Sequence, residues 1–213
     1  SVTIEPFLAA QIERIEHLVR RATILELNLM RLRGKLKGKT PSSRYKNFVN
    51  SFRIREGRAR FQQKYPVLLR LVTDNLELWK TATIELLMRL QNDRKLIEKR
   101  FSINSNDKIK SITLGGDTHN EGRSVTIITF VSEKQIVYKP RDVSIEESFQ
   151  NYIDYFNKNT SNVKLKLLKI VNKIDYGWVE FVEPIPPENG KGSELLHKKI
   201  GVLLALVYSL NGV

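Results

Sequence analysis

The feature that most constrains this chain is a change of period near Phe101. Before it, apolar side chains recur in steps of three and four; after it, β-branched residues cluster in short runs between turn signals. The two patterns obey different packing rules, so the sequence predicts an α+β chain, with a helical N-terminal layer over residues 1–100 and a mixed region after it. In residues 5–33, Leu8, Ile12, Ile15, Val19, Ala22, Leu25, Leu29 and Leu32 share one helical face. A shorter helix is expected over 43–61, with Tyr45, Phe48 and Phe52 inward. A long one starts at Pro66, which suits a first helical turn, and runs to about Arg100 with a break at Thr73-Asp74-Asn75. Asp74, Glu77, Glu85 and Asp93 read as solvent-face or capping carboxylates.

Between the first two helices, residues 31–43 (RLRGKLKGKTPSS) lose the period and gather Gly34, Gly38 and Pro41, which makes a basic loop, a solvated linker by default and the best candidate for a mobile partner-binding segment. The net charge of +13 sits mostly at this end: residues 1–60 hold 14 Lys and Arg against 5 Asp and Glu, while residues 101–213 nearly balance. Such a surface attracts nucleic acid, an anionic membrane or an acidic polypeptide, and a solvated basic face explains it equally well. Nucleic acid is disfavoured because the aromatic residues among these cations are few and fall at helical spacing. With no cysteine the chain has no disulfide or thiolate metal site, which fits a reducing cytoplasm. No signal peptide is evident, and the most apolar run, 200–210, is too short for a transmembrane segment and reads as a buried helix.

The mixed region is organised around residues 114–141, LGGDTHNEGRSVTIITFVSEKQIVYKPR. They read as a glycine-flanked polar turn, a strand over 124–130, a short turn, and a strand over 135–138 that ends in Lys139-Pro140-Arg141. Asp117, His119, Asn120 and Arg123 fall within seven residues, and Lys139 stands at the mouth of the same hairpin. Next come a helix over 144–157, capped by Ser144 with Glu147 as a capping box, and two strands over 166–174 and 177–182. A Pro- and Gly-rich linker over 184–192 follows. A last helix begins at Ser193, with Leu196, Ile200, Leu203, Leu204 and Val207 inward. This is the order of a kinase-type small lobe: a glycine-containing loop, a strand lysine that pairs with phosphates, a helix, further strands, a hinge and the first large-lobe helix. The expected divisions are therefore 1–100 as a helical subdomain, 101–183 as a small lobe, and 184–213 as a linker and the start of a large lobe.

The run Gly116-Asp117-Thr118-His119-Asn120-Glu121-Gly122-Arg123-Ser124-Val125, with Val137-Tyr138-Lys139-Pro140-Arg141 after it, resembles the dehydratase domain of class II (LanM-type) lanthipeptide synthetases. Residues 42–48, 64–68, 175–181 and 201–212 look like the same family, so the likeness covers most of the chain. It implies a lipid-kinase-like fold that uses ATP and Mg2+ to phosphorylate Ser and Thr of a leader-bearing precursor peptide. Phosphate is then eliminated to give dehydroalanine and dehydrobutyrine. By position, Lys139 matches the lysine that contacts ATP phosphates, and Asp117 and His119 match the pair needed for elimination. That step needs a base for the α-proton and donors for the leaving phosphate, and an imidazole beside a carboxylate serves at neutral pH. Which of the two takes the proton stays open. Asn120 and Arg123 are candidate contacts for the substrate phosphate, a structural salt bridge being equally open for Arg123.

Two departures stand out. Glu121 occupies a position where the family often has glycine. The family's Asp-x-His-x-x-Asn loop and metal-binding aspartate would begin after Val213, so the Mg2+ ligands are expected outside this chain, and the zinc site of a cyclase domain cannot form without cysteine. The resemblance therefore implies a cytoplasmic part of a larger synthetase, working with the remainder of that protein and inactive alone. The alternative is a non-catalytic basic module that binds a peptide or nucleic acid.

Overall fold

The structure is a computed structural model that describes residues 5–115, 121–160, 163–183 and 191–210, with only the backbone of residues 6 and 191–193. The chain divides into two compact units, a helical one of residues 3–90 with 117–123 and a second of residues 1–2, 91–116 and 124–213. Seven helices and five strands occur among the described residues, so the chain is α+β as the change of period predicts.

The helical unit holds α1 (Glu5–Leu32), α2 (Pro41–Ser51), α3 (Arg55–Lys64) and nearly all of α4 (Pro66–Asn92). On α1 the buried side chains are Phe7 and Gln11, while Leu8 and Ile12 face solvent, so the inward stripe begins one residue earlier than the apolar spacing suggests. Gln11 finds its partner in Asn75, whose Oδ1 accepts from Gln11 Nε2 at 2.7 Å. That bond occupies part of the polar triplet where a break in α4 was expected, and α4 runs through it. The helix expected over 43–61 is two helices. Their meeting requires glycine at 57, since a Cβ there would stand 1.9 Å from Ser51 O. Phe48, Phe52, Phe61 and Tyr65 form a chain of ring contacts along them, with centroids 4.9–5.3 Å apart. Tyr45, expected inward, is 59% exposed. At the start of α2, Thr40 Oγ1 accepts from Ser43 N at 3.1 Å and Ser43 Oγ accepts from Thr40 N at 3.0 Å, a reciprocal cap with Pro41 in the first turn.

The second unit holds α5 (Arg94–Phe101), β1 (Ile109–Leu114), β2 (Thr126–Phe130), β3 (Gln135–Lys139), α6 (Ser144–Asn159), β4 (Ile170–Asn172), β5 (Gly177–Glu180) and α7 (Lys191–Ser209). The sheet is antiparallel throughout, in the order β1-β2-β3-β5-β4. The sequence showed no strand at β1. It is an edge strand whose single buried residue, Ile112, makes a weak apolar signal. The strand expected over 166–174 shrinks to three residues because α6 side chains bond the backbone before it: Asn157 Oδ1 accepts from Leu165 N at 2.9 Å and Gln150 Oε1 from Leu168 N at 2.7 Å. Ile128, Phe130, Ile136 and Trp178 fill the core. Val202, Leu203 and Leu206 of α7 pack with Ile153 and Leu165, whereas Leu196, Ile200 and Leu204, expected inward, are exposed. The linker expected over 184–192 lies mostly outside the described residues, and α7 begins before Ser193.

The break in the long N-terminal helix falls at Asp93, between α4 and α5. Expected on a solvent face or as a cap, Asp93 stands at the N-cap position of α5, but its side chain makes no capping bond and is only 3% exposed. Its Oδ2 accepts from Trp178 Nε1 and Tyr176 OH, each at 2.8 Å, and its Oδ1 lies 3.0 Å from Lys173 Nζ. Burial pushes this carboxyl up, but the hydrogen bonds from Trp178, Lys173 and Tyr176 outweigh it and hold Asp93 below the ordinary Asp value. A buried charge with its partners supplied is costly to disturb, because removing it takes the acceptor from the fully buried Trp178 Nε1 as well as from Tyr176 and Lys173. Asp93→Ala should therefore cost about 3 kcal/mol in urea unfolding at pH 7. The group's folded pKa is depressed, so its contribution is present above the ordinary Asp value and is lost as pH falls below it. The deficit of the variant should accordingly shrink in the acid limb and stay constant from pH 5 to 8.

Candidate functional site

The β2–β3 hairpin places the first group. Ile128 pairs with Ile136 and Thr126 with Tyr138, so β3 ends with Lys139 opposite Gly177 of β5. The turn is tight, with Glu133 at φ +65° and Phe130 N bonded to Lys134 O at 2.9 Å. Lys139 Nζ lies 3.2 Å from Glu146 Oε1, in the first turn of α6, and both side chains are a quarter exposed. Arg141 reaches the same carboxylate with both terminal nitrogens. Burial pushes Glu146 up, yet Arg141 and Lys139 outweigh it and hold its carboxyl below the usual Glu range. Two cations therefore share one anion. Their N–H donors, displayed at the end of a strand, can hydrogen-bond a phosphate group, with the exposed Asp142 carboxylate near Arg141 as a second acid.

Glu146 is placed by the start of α6. Ser144 is not the N-cap residue. Val143 holds that position without a side-chain capping bond, and Asp142 just before it accepts from Ser144 N at 2.8 Å and Ser144 Oγ at 2.9 Å, bonds that hold its carboxyl below the ordinary Asp value. Glu147, expected in a capping box, accepts instead from Asn172 Nδ2 at 3.1 Å. Sequence reasoning missed Glu146 altogether. Its signal was available as an acid in the first turn of the helix that follows a strand-end lysine.

Asp117, His119 and Asn120 lie outside the described residues. Arg123 belongs to the helical unit, where its Nε donates to Glu85 Oε2 at 2.7 Å and its Nη1 to Glu121 Oε2 at 3.2 Å. Glu85 also pairs with Arg89, one turn along α4. Beside Arg123 a cleft of about 320 Å³ is lined by Asp74, Glu77, Glu85 and Glu121 among others. Four carboxylates make that cleft unfavourable for a phosphate, so the geometry present is the salt bridge that the sequence left open. Glu85, expected on a solvent face, is thus the partner of a turn 38 residues away.

The basic loop forms the third feature. From Leu27 to Arg55 there are nine Lys and Arg and no Asp or Glu. A cleft of about 640 Å³ opens there, lined by Leu27, Leu36, Arg31, Arg44 and Tyr45 among others. Among the described residues no cluster of three or more His, Asp or Glu is arranged to hold a metal ion, and no helix is long and apolar enough to cross a membrane.

Comparison with known proteins places the chain. It is 30% identical over 201 residues to the lacticin 481/lactococcin biosynthesis protein LcnDR2 of Lactococcus lactis subsp. lactis, a match covering 90% of this chain and 22% of that protein. The chain thus spans about a fifth of the length of the curated relative it matches. A family profile described as a domain of unknown function, DUF4135, matches residues 65–213, more than half the chain and all of the sheet. The chain belongs to the DUF4135 family.

Proposed function

We propose that this chain is part of a class II lanthipeptide synthetase and serves its dehydratase reaction. In this reading ATP phosphorylates Ser and Thr of a precursor peptide, and phosphate is then eliminated. The observation that carries it is the Lys139–Glu146 pair, a strand-end lysine held by an acid on the following helix. Kinase-type small lobes use that arrangement to present a lysine to nucleotide phosphates. The similarity to a lacticin 481/lactococcin biosynthesis protein supports the same reading from the side of the substrate.

Residues 101–183 then make the small lobe and 184–213 the linker and first large-lobe helix. Lys139 would hold the nucleotide phosphates, Glu146 keeps its side chain extended toward them, and Arg141 adds charge at the same carboxylate. Bound ATP supplies the phosphoryl group, and Mg2+ is expected to be held by residues outside this chain. For elimination, one of Asp117 and His119 takes the α-proton and the other supports it. The electron pair forms the Cα–Cβ double bond, and the Cβ–O bond breaks to release phosphate, for which Asn120 is the candidate contact. Arg123 is assigned to the salt bridge with Glu85. In the synthetase carrying this segment, Lys139→Ala should abolish phosphorylation. His119→Ala should let phosphopeptide accumulate at the expense of dehydrated product. Mass spectrometry of the precursor that shows neither change would contradict the assignment.

The acid-free cleft at Arg31 and Arg44 favours a second role beside the first, docking of an acidic stretch of the precursor leader. A lining that mixes leucine side chains with two guanidinium groups suits carboxylates interleaved with aliphatic side chains better than a nucleic-acid backbone. Arg31→Glu with Arg44→Glu should weaken binding of a labelled leader peptide about tenfold or more. Fluorescence anisotropy at low salt measures this. Equal affinity for the variant, or tighter binding of an oligonucleotide than of the peptide by the original chain, would contradict it.

A further inference from the structure

We propose that Asn172, on the edge strand β4, is a positioning residue for Lys139: through Glu147 it sets where the first turn of α6 stands, and so how Glu146 meets the lysine. The inference rests on the reading above, in which Lys139 holds nucleotide phosphates. Lys139, Gly177 and Asn172 form one row across the sheet, because Gly177 of β5 is the register partner of Lys139 on one side and of Asn172 on the other. Residues directly opposite one another in neighbouring strands share a face, so the three positions face the same way. The start of α6 answers each of them. Glu146 Oε1 lies 3.2 Å from Lys139 Nζ, a Cβ at 177 would stand 2.2 Å from Val143 Cγ2, and Glu147 Oε2 accepts from Asn172 Nδ2 at 3.1 Å. Two consecutive glutamates thus reach to either side of a bare position, one to each flanking strand.

Asn172 is the anchored end of this arrangement. β4 is only three residues long, but neighbouring groups pin it: Arg100 Nε donates to Ile170 O at 3.0 Å, Lys173 Nζ lies 3.0 Å from Asp93 Oδ1, and Lys173 N donates to Tyr176 O at 2.9 Å. The amide at 172 is kept at a cost. Asn172 Oδ1 is buried and has no hydrogen-bond partner among the described residues, a penalty that a β-branched apolar side chain would avoid while suiting a strand better. What the amide offers in return is its donor, which Glu147 uses. Glu146 and Glu147 are separated by a rise of about 1.5 Å on one helical turn, so displacing one carboxylate displaces the other. Lys139 and Arg141 hold Glu146 from the β3 end, and Asn172 holds the next residue from β4. Loss of the β4 hold should therefore fall on the placement of Lys139 and on its use of ATP.

The test uses the synthetase that carries this segment, with initial rates of precursor phosphorylation followed by mass spectrometry across ATP and precursor concentrations. Asn172→Asp sets two carboxylates against each other. It should lower kcat/KM for ATP about 10- to 100-fold, the scale expected of an ångström misplacement, and raise the KM for ATP while that for precursor stays unchanged. Glu147→Gln keeps an oxygen acceptor for the Asn172 amide and should lose far less. Combining Asn172→Asp with Glu147→Gln reverses the bond, the new amide donating to the new carboxylate, and should restore most of the loss. Were Asn172→Asp to melt below the assay temperature, Asn172→Val, which removes the donor and adds no charge, should raise the KM for ATP in the same selective way. Lys139→Ala runs alongside as the reporter of the underlying reading; if it phosphorylates normally, that reading falls first. With Lys139→Ala inactive, the positioning role is overturned if the folded Asn172 variants keep the original KM for ATP, if both KM values move together, or if the double variant does no better than Asn172→Asp.

Discussion

The close approach of Val143 to Gly177 is the constraint from which the Lys139 end of the sheet follows. A Cβ at 177 would stand 2.2 Å from Val143 Cγ2, so the fully buried valine occupies the place where a side chain would be. Val143 immediately precedes α6, and Gly177 is the register partner of Lys139. One bare position therefore fixes both the strand that ends in the lysine and the start of the helix that brings Glu146 to it. A methyl group there would overpack the junction, at a cost of about 1–3 kcal/mol. It would also push the first turn of α6 away from β3.

Electrostatics then decide what that corner can do. Glu146 alone would neutralise Lys139, and a neutral pair has little to offer a phosphate. Arg141 adds a second cation at the same carboxylate, and the two hold it below the usual Glu range. Asp142, exposed and engaged by Ser144, sets a second carboxylate near Arg141, so the corner's two cations are balanced in number by two acids and Lys139 and Arg141 act on a ligand as directed donors. A different balance holds beside Arg123, where carboxylates outnumber the guanidinium in the cleft. The same residue type thus has two employments in one turn-and-hairpin segment, and the local count of acids separates them.

How much of this could be read from the chain depends on how far apart the partners lie. The α1 helix, the hairpin and the helix after Lys139 were legible because period and turn chemistry are local properties. Glu146 was within reach, seven residues from Lys139, and was overlooked because Glu147 made a plausible capping box. Asp93 was not within reach: its partner Trp178 is 85 residues away, so a carboxylate in a helical stretch looked solvent-facing while tertiary packing buried it. Glu85 is the same case at 38 residues. The exposed Leu196, Ile200 and Leu204 of α7 show the converse, since an apolar helix does not reveal which of its faces finds a neighbour. The roles of Asp117, His119 and Asn120 rest on the family resemblance, and their positions lie outside the described residues.

The central claim is that Lys139, held by Glu146, faces nucleotide phosphates. An acyl-phosphate derivative of ATP tests it directly, because such a probe transfers its acyl group to whichever lysine amine lies against the phosphates. After a brief reaction and proteolysis, peptide mass spectrometry reports which of the chain's lysines carries the label. The account predicts preferential labelling of Lys139, suppressed by excess ATP. An unlabelled Lys139, or labelling spread over surface lysines that ATP does not protect, would contradict it.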